Sequence, residues 1–353
     1  MCGRFRTFTD MLYQQLVKPL LFQLDAERAH ELIMQLGRWL NRQPRWLSVL
    51  QKIYALNHPS LERRWRNLFF PNPVGIAAGF DKNGHILELL QALGFGFLEL
   101  GSITARASQG NPQPRLFRLP LDRALINRLG LNNEGSEAIV RHIHRENLRV
   151  PLGINIAKTH DPTILGDQAI EDYAHSFSLA LKKADYLTLN ISCPNTAEGI
   201  TFEDPVALQE LLSGLMNLPN PGPCPVFLKF SPDLPLTTLD QLLQIGHDMG
   251  IAGYCVTNTS VDRSGLRTCP EALARCGRGG LSGSPLRAKA TAMVRHIRSQ
   301  STAGTFIIGV GGIDSVEAAR ERLQAGADVI QLYTGLVYEG PGLPHRILKG
   351  LVG

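Results

Sequence analysis

From residue 73 onward, short apolar segments of strand type alternate with segments of helical periodicity. Eight strands are predicted: Val74–Phe80, Gly96–Thr104, Leu152–Ala157, Asp185–Ile191, Val226–Phe230, Gly253–Asn258, Phe306–Val310 and Val329–Tyr333. Helical segments such as Pro205–Met216 and Thr238–Met249 separate most of them. Strands joined by helices run parallel, because each helix returns the chain to the same edge of the sheet. Eight such units favour a (β/α)8 TIM barrel over an open sheet.

The charge of the chain is concentrated in its N-terminal segment. The chain has 353 residues, of which 44% are hydrophobic and 19% charged, as in ordinary soluble globular proteins. Residues 1–65 contain ten Lys or Arg and five Asp or Glu, so the other 288 residues are neutral overall. The three tryptophans, Trp39, Trp46 and Trp65, also lie in this segment. A basic segment with tryptophans predicts contact with an anionic surface such as membrane phospholipid.

Two amphipathic helices are predicted in this N-terminal segment. The first has an apolar face from Met11 to Leu21 and is expected to be interrupted at Pro19. The second follows Asp25, a predicted N-cap, and its apolar residues recur every three or four positions. These faces either pack on the main domain or form a small lid open to lipid or an apolar ligand. We therefore divide the chain into a helical extension, residues 1–65, and a barrel, residues 66–353.

The cysteines indicate a reducing compartment. Six are present, without a CxxC pair or the paired spacing of a metal site. We find no secretory signal pattern and no apolar run long enough to span a membrane. The sequence therefore predicts a cytoplasmic protein with free thiols and no bound metal.

Polar and small residues follow the predicted strands, at the end of the barrel where enzymes of this fold do their chemistry. The first strand leads into Ala77-Ala-Gly-Phe-Asp-Lys82. The fourth leads into Asn190-Ile-Ser-Cys193-Pro-Asn195, which places a thiol between two amides. Asn and Pro are also common turn residues, so a simple turn is the alternative interpretation.

Other features favour a phosphate-bearing ligand. Lys229 lies within an otherwise apolar strand, where an unpaired charge is costly, and this favours a functional role. Gly279–Gly283 and Gly309–Asp314 are glycine-rich, and backbone N–H groups after the seventh and eighth strands usually bind phosphate in this barrel. The stretches 105–133 and 259–284 are too long for simple connections, so functional loops are expected. Lysines and amides without a carboxylate cluster favour FMN and an anionic heterocyclic substrate.

Six segments resemble dihydroorotate dehydrogenase, and the resemblance extends over essentially the whole chain. They are Ala77–Lys82, Ile126–Asn133, Asn190–Thr196, Gly280–Gly283, Gly309–Asp314 and Gln331–Gly335. In addition, Phe22–His30 resembles the N-terminal extension of the class 2 enzymes, which are membrane-associated and reduce quinones. Class 1 enzymes are soluble, use fumarate or NAD, and lack this extension.

The resemblance implies oxidation of (S)-dihydroorotate to orotate in de novo UMP synthesis. A base removes a proton from C5, hydride passes from C6 to N5 of FMN, and ubiquinone or menaquinone takes the electrons. By motif position the base is Cys193. The implied substrate-binding residues are Lys82, Asn127, Arg128, Leu129, Gly130, Leu131, Asn190, Asn195, Asn258 and Thr259. The implied FMN-binding residues are Ala78, Gly79, Lys82, Ser102, Asn155, Asn190, Lys229, Thr257, Gly283, Gly312, Tyr333 and Thr334, and His30 and Arg118 are implied at the quinone entrance.

Cys193 departs from the class 2 pattern, which has serine as the base. A free thiol titrates near pH ~8.5, whereas a serine hydroxyl needs a proton relay. The alternatives are a class 1-like enzyme using fumarate or NAD, a related FMN-dependent pyrimidine oxidoreductase, and a flavin- or membrane-binding module without activity. We expect a monomeric, peripheral protein on the cytoplasmic side of the inner membrane, without a nucleic-acid partner.

Overall fold

A computed structural model describes residues 8–192, 202–219 and 224–353 of the chain. The N-terminal helices are α1 Phe8–Leu12, a π-helical turn Tyr13–Val17, α2 Lys18–Gln23, α3 Ala26–Asn41 and α4 Pro44–Tyr54. The prediction that Pro19 interrupts the first helix is wrong. The π turn precedes it, and Pro19 lies in the first turn of α2, where a missing N–H is tolerated. In the described residues every helix is too short or too polar to cross a bilayer.

The extension has one face on the barrel and another in solvent. Asp25 is the N-cap of α3, as predicted, because its carboxylate accepts hydrogen bonds from the N–H groups of Glu27 and Arg28. Met34, Leu40, Leu47 and Leu50 pack against the main hydrophobic core. The other face is apolar but exposed; it comprises Leu16, Leu20, Leu32, Leu36, Trp39, Trp46, Val49 and Ile53. We call these eight residues the exposed apolar face. Packing on the main domain is therefore confirmed for one face, and a lid open to lipid or an apolar ligand stays a prediction for the other.

A two-stranded hairpin, β1 Arg63–Trp65 and β2 Leu68–Phe70, closes the amino-terminal end of the barrel. The ring of Trp65 lies 4.7 Å from that of Phe306, at the start of a barrel strand, and its Nε1 donates to the carbonyl of Gly304. Phe70 stacks on Phe306 at 5.4 Å. Trp65 therefore packs on the barrel, unlike Trp39 and Trp46. The division of the chain at residues 65 and 66 stays a prediction, and the hairpin spans it.

Eight parallel strands close the barrel, which confirms the predicted (β/α)8 fold. The remaining strands are β3 Val74–Ile76, β4 Phe97–Ile103, β5 Leu116–Leu119, β6 Ala124–Asn127, β7 Leu152–Ile156, β8 Tyr186–Asn190, β9 Val226–Phe230, β10 Gly253–Val256, β11 Gly280–Gly283, β12 Phe306–Val310 and β13 Val329–Leu332. Around the barrel the order is β3, β4, β7, β8, β9, β10, β12, β13. The first strand ends at Ile76 instead of Phe80, because the chain turns at Gly79, where φ is +97°.

Helices surround this barrel. They are α5 Leu87–Ala92, α6 Ser136–His142, α7 Asp167–Ala180, α8 Pro205–Met216, α9 Leu236–Asp248, α10 Pro270–Cys276, α11 Arg287–Gln300, α12 Val316–Gln324, α13 Thr334–Glu339 and α14 Leu343–Val352. Their apolar faces bury the outward side chains of the strands, such as Leu152, Leu228 and Ile307. The barrel is thereby packed on both sides, which fixes the strand ends relative to one another.

The two stretches that are too long for simple connections pair with each other. Strands β5 and β6 come from the first stretch and β11 from the second, and they form a three-stranded antiparallel sheet. Asn127 is the register partner of both Leu116 and Gly280. This sheet lines the cavity at the carboxyl ends of the barrel strands.

Candidate active site

A cavity at the carboxyl ends of the barrel strands brings most of the predicted site residues together. The predicted residues that line it are Ala78, Gly79, Lys82, Ser102, Asn127, Leu129, Gly130, Leu131, Asn190, Lys229, Thr257, Asn258, Thr259, Gly283, Gly312, Tyr333 and Thr334. They come from seven of the eight barrel strands or the turns that follow them, and from the small antiparallel sheet. Residues up to 256 positions apart in the chain thus form one chemical environment, as expected where the carboxyl ends of parallel strands meet.

Four of the predicted residues do not line this cavity. Arg128 turns away, and its guanidinium donates to the carbonyl of Pro114. Asn155 lies beneath the cavity floor and is wholly buried. His30 and Arg118 lie towards the N-terminal helices. Cys193 and Asn195 fall outside the described residues.

Two lysines point into the cavity from opposite sides. Lys82 follows β3 and Lys229 lies within β9, where only 6% of its surface is exposed. Within the described residues neither ammonium group donates a hydrogen bond. Burial lowers the pKa of Lys82 to about 8, and the nearby Glu27 carboxylate acts in the opposite direction. Buried cations without hydrogen-bond acceptors destabilise a protein, so their presence here favours an anionic ligand.

A hydrogen-bonded row of amides and a hydroxyl forms part of the cavity floor. Asn258 donates to the side-chain carbonyl of Asn190 over 3.1 Å, and Asn190 donates to Ser102 Oγ over 3.1 Å. Ser102 in turn donates to Asn155 Oδ1. Ser192 also accepts from Asn258, over 2.8 Å. These groups give the floor both donors and acceptors, which suits the edges of a planar heterocycle.

Glycines form the wall after β12. The backbone at Gly311 and Gly312 has φ values of +99° and +68°, which L-amino acids with side chains rarely adopt. A Cβ on Gly312 would lie 2.6 Å from the backbone of Arg287. The wall therefore presents main-chain atoms to the cavity, as a phosphate site requires.

Arg322 holds this glycine turn from behind. Its guanidinium is wholly buried and donates to the carbonyls of Val310 over 2.6 Å and Gly311 over 2.8 Å. Burial lowers the pKa of Arg322 to about 10, so the side chain remains charged at neutral pH. The sequence did not single out Arg322, because a basic residue in an amphipathic helix is ordinarily exposed.

Replacing Arg322 by methionine is expected to lower the free energy of unfolding by about 3 kcal/mol, because two buried carbonyls lose charged donors. The midpoint of urea unfolding measures this loss. Arg320→Met is the matched control, since Arg320 lies on the same helix but is exposed. Equal midpoints for the two variants would show that the Arg322 contacts do not support the turn.

The side chains of His30 and Arg118 lie between the cavity and the N-terminal helices. The ring of His30, on α3, meets Phe80 edge-on at 5.4 Å, and burial together with the Lys82 charge lowers the pKa of His30 to about 3. Arg118 donates to the carbonyls of Leu21 and Leu24 at the end of α2. A neutral imidazole and aromatic rings are groups that suit contact with an apolar ligand.

A buried ion pair joins helix α3 to the 105–133 stretch. Glu27 of α3 pairs with Arg115, with 2.7 Å between Oε1 and Nη2, and both side chains are about 10% exposed. Arg115 also donates to the carbonyl of Asn111. In the described part of the chain, no three His, Cys, Asp or Glu side chains are grouped as metal ligands would be.

Three residues near the site, Glu99, Gln331 and Arg322, were not predicted from the sequence. Gln331 lines the cavity and donates to Glu99, which lies inside β4. A signal for Glu99 was present: like Lys229, it is a charged residue within an apolar strand, Phe97-Leu-Glu-Leu. Gln331 lies in a segment that resembles the family motif, but no role was assigned to it.

Comparisons with known proteins agree with this geometry. A family model described as dihydroorotate dehydrogenase matches residues 60–353. A protein from Roseiflexus castenholzii named dihydroorotate dehydrogenase (quinone) is 42% identical over 345 residues, which cover 97% of this chain and 92% of that protein. A protein of the same name from Thermosynechococcus vestitus is 42% identical over 355 residues, which cover 96% of this chain and 96% of that protein.

Solved structures show the same relationship. The crystal structure of DHODH from Eimeria tenella in complex with ferulenol has a TM-score of 0.80 and 31% sequence identity. The match covers 94% of this chain and 93% of that one. The present chain therefore belongs to the dihydroorotate dehydrogenase family.

Proposed function

We propose that this protein oxidises (S)-dihydroorotate to orotate with FMN as hydride acceptor and a membrane quinone as final electron acceptor. The observation that supports this most directly is the cavity, which is lined by two lysines, a row of amides and a glycine wall. The curated relatives named above, with similarity over nearly the whole chain, support the same activity. The product is an intermediate of de novo pyrimidine synthesis.

The residues present fit FMN. The glycine wall at Gly311 and Gly312, with Ser282 and Thr334 beside it, offers donors for a phosphate group. Lys229 supplies a buried positive charge without a hydrogen-bond acceptor among the described residues. The remaining residues proposed to hold the cofactor are Ala78, Gly79, Lys82, Ser102, Asn190, Thr257, Gly283 and Tyr333. Asn155 would act from beneath the floor, through the hydrogen bond that it accepts from Ser102. When bound, FMN accepts a hydride from the substrate and passes two electrons to the quinone.

The substrate is proposed to lie over the amide floor. Asn127, Asn190, Asn258 and Thr259 supply donors and acceptors for the ring amides, and Lys82 supplies a charge for the carboxylate. From the sequence motif, Asn195 is a further substrate ligand and Cys193 takes the proton from C5. The neighbouring 129–131 segment would enclose the substrate from the side of the antiparallel sheet. Arg128 is not part of this proposal, because its guanidinium is held at Pro114.

The quinone is proposed to enter beneath the N-terminal helices, beside His30 and Arg118. The exposed apolar face lies on these same helices, so lipid and quinone would approach from one side. This arrangement favours a quinone over fumarate or NAD, which are polar and need no apolar entrance. We further propose that the protein is a monomer bound peripherally to the cytoplasmic side of the inner membrane.

Steady-state assays of the pure protein test this function. We expect turnover of dihydroorotate with a soluble quinone analogue, and rates at least tenfold lower with fumarate or NAD as acceptor. Preference for fumarate or NAD would favour the class 1-like alternative that Cys193 alone suggests. Turnover of dihydrouracil in place of dihydroorotate would indicate a related pyrimidine oxidoreductase. A pure protein that takes up no FMN would contradict any flavoenzyme function.

Orotate affinity is expected to fall at alkaline pH through Lys82. Burial lowers the pKa of Lys82 to about 8. Its side chain is therefore mostly charged at pH 7 and loses its proton, and with it the charge, above pH 8. Because an anion binds the charged form, affinity should be constant below that pH and fall about tenfold per pH unit above it. Calorimetric titration with orotate from pH 6 to pH 10 measures this. Lys82→Arg is the control, and an equal alkaline loss in that variant would assign the titration to another group.

Membrane binding is expected to depend on the exposed apolar face. Replacing Leu36 and Trp39 together by glutamate places two charges on that face and should abolish flotation with liposomes of anionic phospholipid. Val206→Glu is the control, because Val206 is also exposed but lies on the barrel helix α8. Flotation of the double variant at the wild-type level would contradict a role of this face.

A further inference from the structure

A buried carboxylate lies beneath the amide floor. Glu99, within β4, is 1% exposed and is surrounded by side chains from three other barrel strands. Its Oε1 accepts from Asn155 Nδ2 over 2.9 Å, and its Oε2 accepts from Gln331 Nε2 over 2.8 Å. The hydroxyls of Tyr186 and Thr188 donate to Oε2 at 3.2 and 3.3 Å. No cation makes a salt bridge with Glu99 in the described residues, so four neutral donors balance its burial.

The hydrogen bonds that run from the cavity to Glu99 all point the same way. The backbone N–H of Thr259 donates to Asn258, Asn258 to Asn190, and Asn190 to Ser102. Ser102 donates to Asn155, which donates to Glu99. We call this series the amide chain. A backbone N–H can only donate and a carboxylate can only accept, so the two ends of the amide chain agree on one direction.

The direction matters because an asparagine side chain has two chemically opposite ends of similar shape. Rotating Asn190 by half a turn would exchange a carbonyl for an amino group at the cavity surface. Each member of the amide chain can be satisfied in a reversed chain, except the two at its ends. Glu99 is the acceptor-only end inside the barrel, and it is too deeply buried for bulk solvent to satisfy a mismatched hydrogen bond there.

We propose that Glu99 is a positioning residue for substrate recognition: as the acceptor-only end of the amide chain, it fixes which atoms Asn190 and Asn258 present to the dihydroorotate ring. This inference rests on the proposed function and assigns to that site a residue that touches neither substrate nor cofactor. Gln331 and the two hydroxyls complete the coordination of the carboxylate. Burial and the adjacent Glu99 raise the pKa of Tyr186, which keeps its hydroxyl protonated as a donor.

Moving the carboxylate one step along the amide chain tests the proposal. In Glu99→Gln, one carboxylate oxygen becomes an amino group that faces donors, and orotate affinity of the holoenzyme is expected to fall about tenfold or more. Adding Asn155→Asp supplies an acceptor-only group at the next position: the new amide donates to Asp, and Ser102 still donates to Asp. The pair should therefore recover most of the affinity that Glu99→Gln loses. Calorimetric titration with orotate in excess FMN gives the dissociation constants.

Thr188→Val is the matched control. It removes one donor to Glu99 in the same buried layer but leaves the carboxylate and the amide chain intact, so orotate affinity should stay within about twofold of the wild type. Wild-type affinity in Glu99→Gln, no recovery in the double variant, or an equal loss in Thr188→Val would each overturn the proposal. If Glu99→Gln fails to fold, Ser102→Ala is the second test, because it removes the hydroxyl that links Asn190 to Asn155 and leaves the Glu99 carboxylate in place. Unchanged orotate affinity in Ser102→Ala would also overturn the proposal.

The same titrations separate this inference from the proposed function. If the wild-type holoenzyme binds orotate and is reduced by dihydroorotate, the function stands whatever the Glu99 variants show. If the wild type does neither, both proposals fall together.

Discussion

Replacing Cys193 by alanine is expected to slow flavin reduction by dihydroorotate about 10² to 10⁴-fold, the usual contribution of a positioned general base. FMN content and orotate affinity should change little, because the lysines and amides of the cavity remain. Stopped-flow absorbance of the flavin measures the rate. Cys269→Ala is the control, since Cys269 is a free and exposed cysteine that does not line the cavity. A Cys193→Ala rate within threefold of the wild type would exclude Cys193 as the base.

Replacing Cys193 by serine distinguishes a thiol base from a hydroxyl base. A thiol gives a useful thiolate fraction near neutral pH, whereas a serine hydroxyl does not ionise and depends on a relay. We therefore expect Cys193→Ser to be slower and to shift the pH profile of flavin reduction to higher pH. Coinciding profiles would show that the titrating group lies elsewhere. Alkylation should inactivate the wild type, with protection by orotate, while burial raises the pKa of Cys255 and leaves that thiol unreactive.

Replacing Lys229 by methionine is expected to weaken FMN binding by about 3 kcal/mol, roughly a hundredfold, because a buried charged donor is lost while the volume is kept. The same substitution removes a buried charge that has no partner among the described residues. The FMN-free variant should consequently be at least as stable as the FMN-free wild type. Fluorescence titration with FMN and thermal unfolding of both FMN-free proteins measure these two effects, which have opposite signs.

Lys289→Met is the control for this substitution. Lys289 is an exposed lysine paired with Asp233 at 2.6 Å, so its loss should leave FMN affinity unchanged. If the Lys229→Met protein is less stable than the wild type without FMN and binds FMN with wild-type affinity, Lys229 is a structural residue.

The barrel could be predicted from the sequence because its signals are local. Strands such as Val226–Phe230 and Phe306–Val310 are apolar, apart from Lys229, and are bounded by helical segments. The structure has both strands with the same ends. The predicted strand Val74–Phe80 is too long, because the turn at Gly79 depends on the cavity wall and not on local hydrophobicity. The predicted interruption at Pro19 fails for a related reason, since the π turn before it is a property of the folded helix.

Contacts between distant segments could not be predicted in this way. The hairpin that places Trp65 on Phe306 joins positions that are 241 residues apart, and pairing of β6 with β11 joins the two long stretches. Neither pairing leaves a periodic signal in the sequence. Glu99 is different: its position in an apolar strand gave the same signal as Lys229, yet its partners Asn155 and Gln331 become visible only when the barrel closes.

The proposed combination of a cysteine base with a class 2-like scaffold is unusual. The helices that bury Glu27 against Arg115 and expose Leu36 and Trp39 agree with a quinone entrance. Cys193 itself is characteristic of the class that uses soluble acceptors. We expect the N-terminal helices to determine the acceptor and the cysteine to determine only the pH dependence of proton removal, because the two are proposed to act in different half-reactions.

Anaerobic mixing of the purified, FMN-loaded protein with dihydroorotate tests the central claim most directly. The proposed function predicts that the flavin absorbance bands bleach in a single turnover and that one orotate forms per flavin. Addition of a soluble quinone analogue should then restore the oxidised spectrum, whereas fumarate or NAD should not. A flavin spectrum that dihydroorotate leaves unchanged would contradict the account.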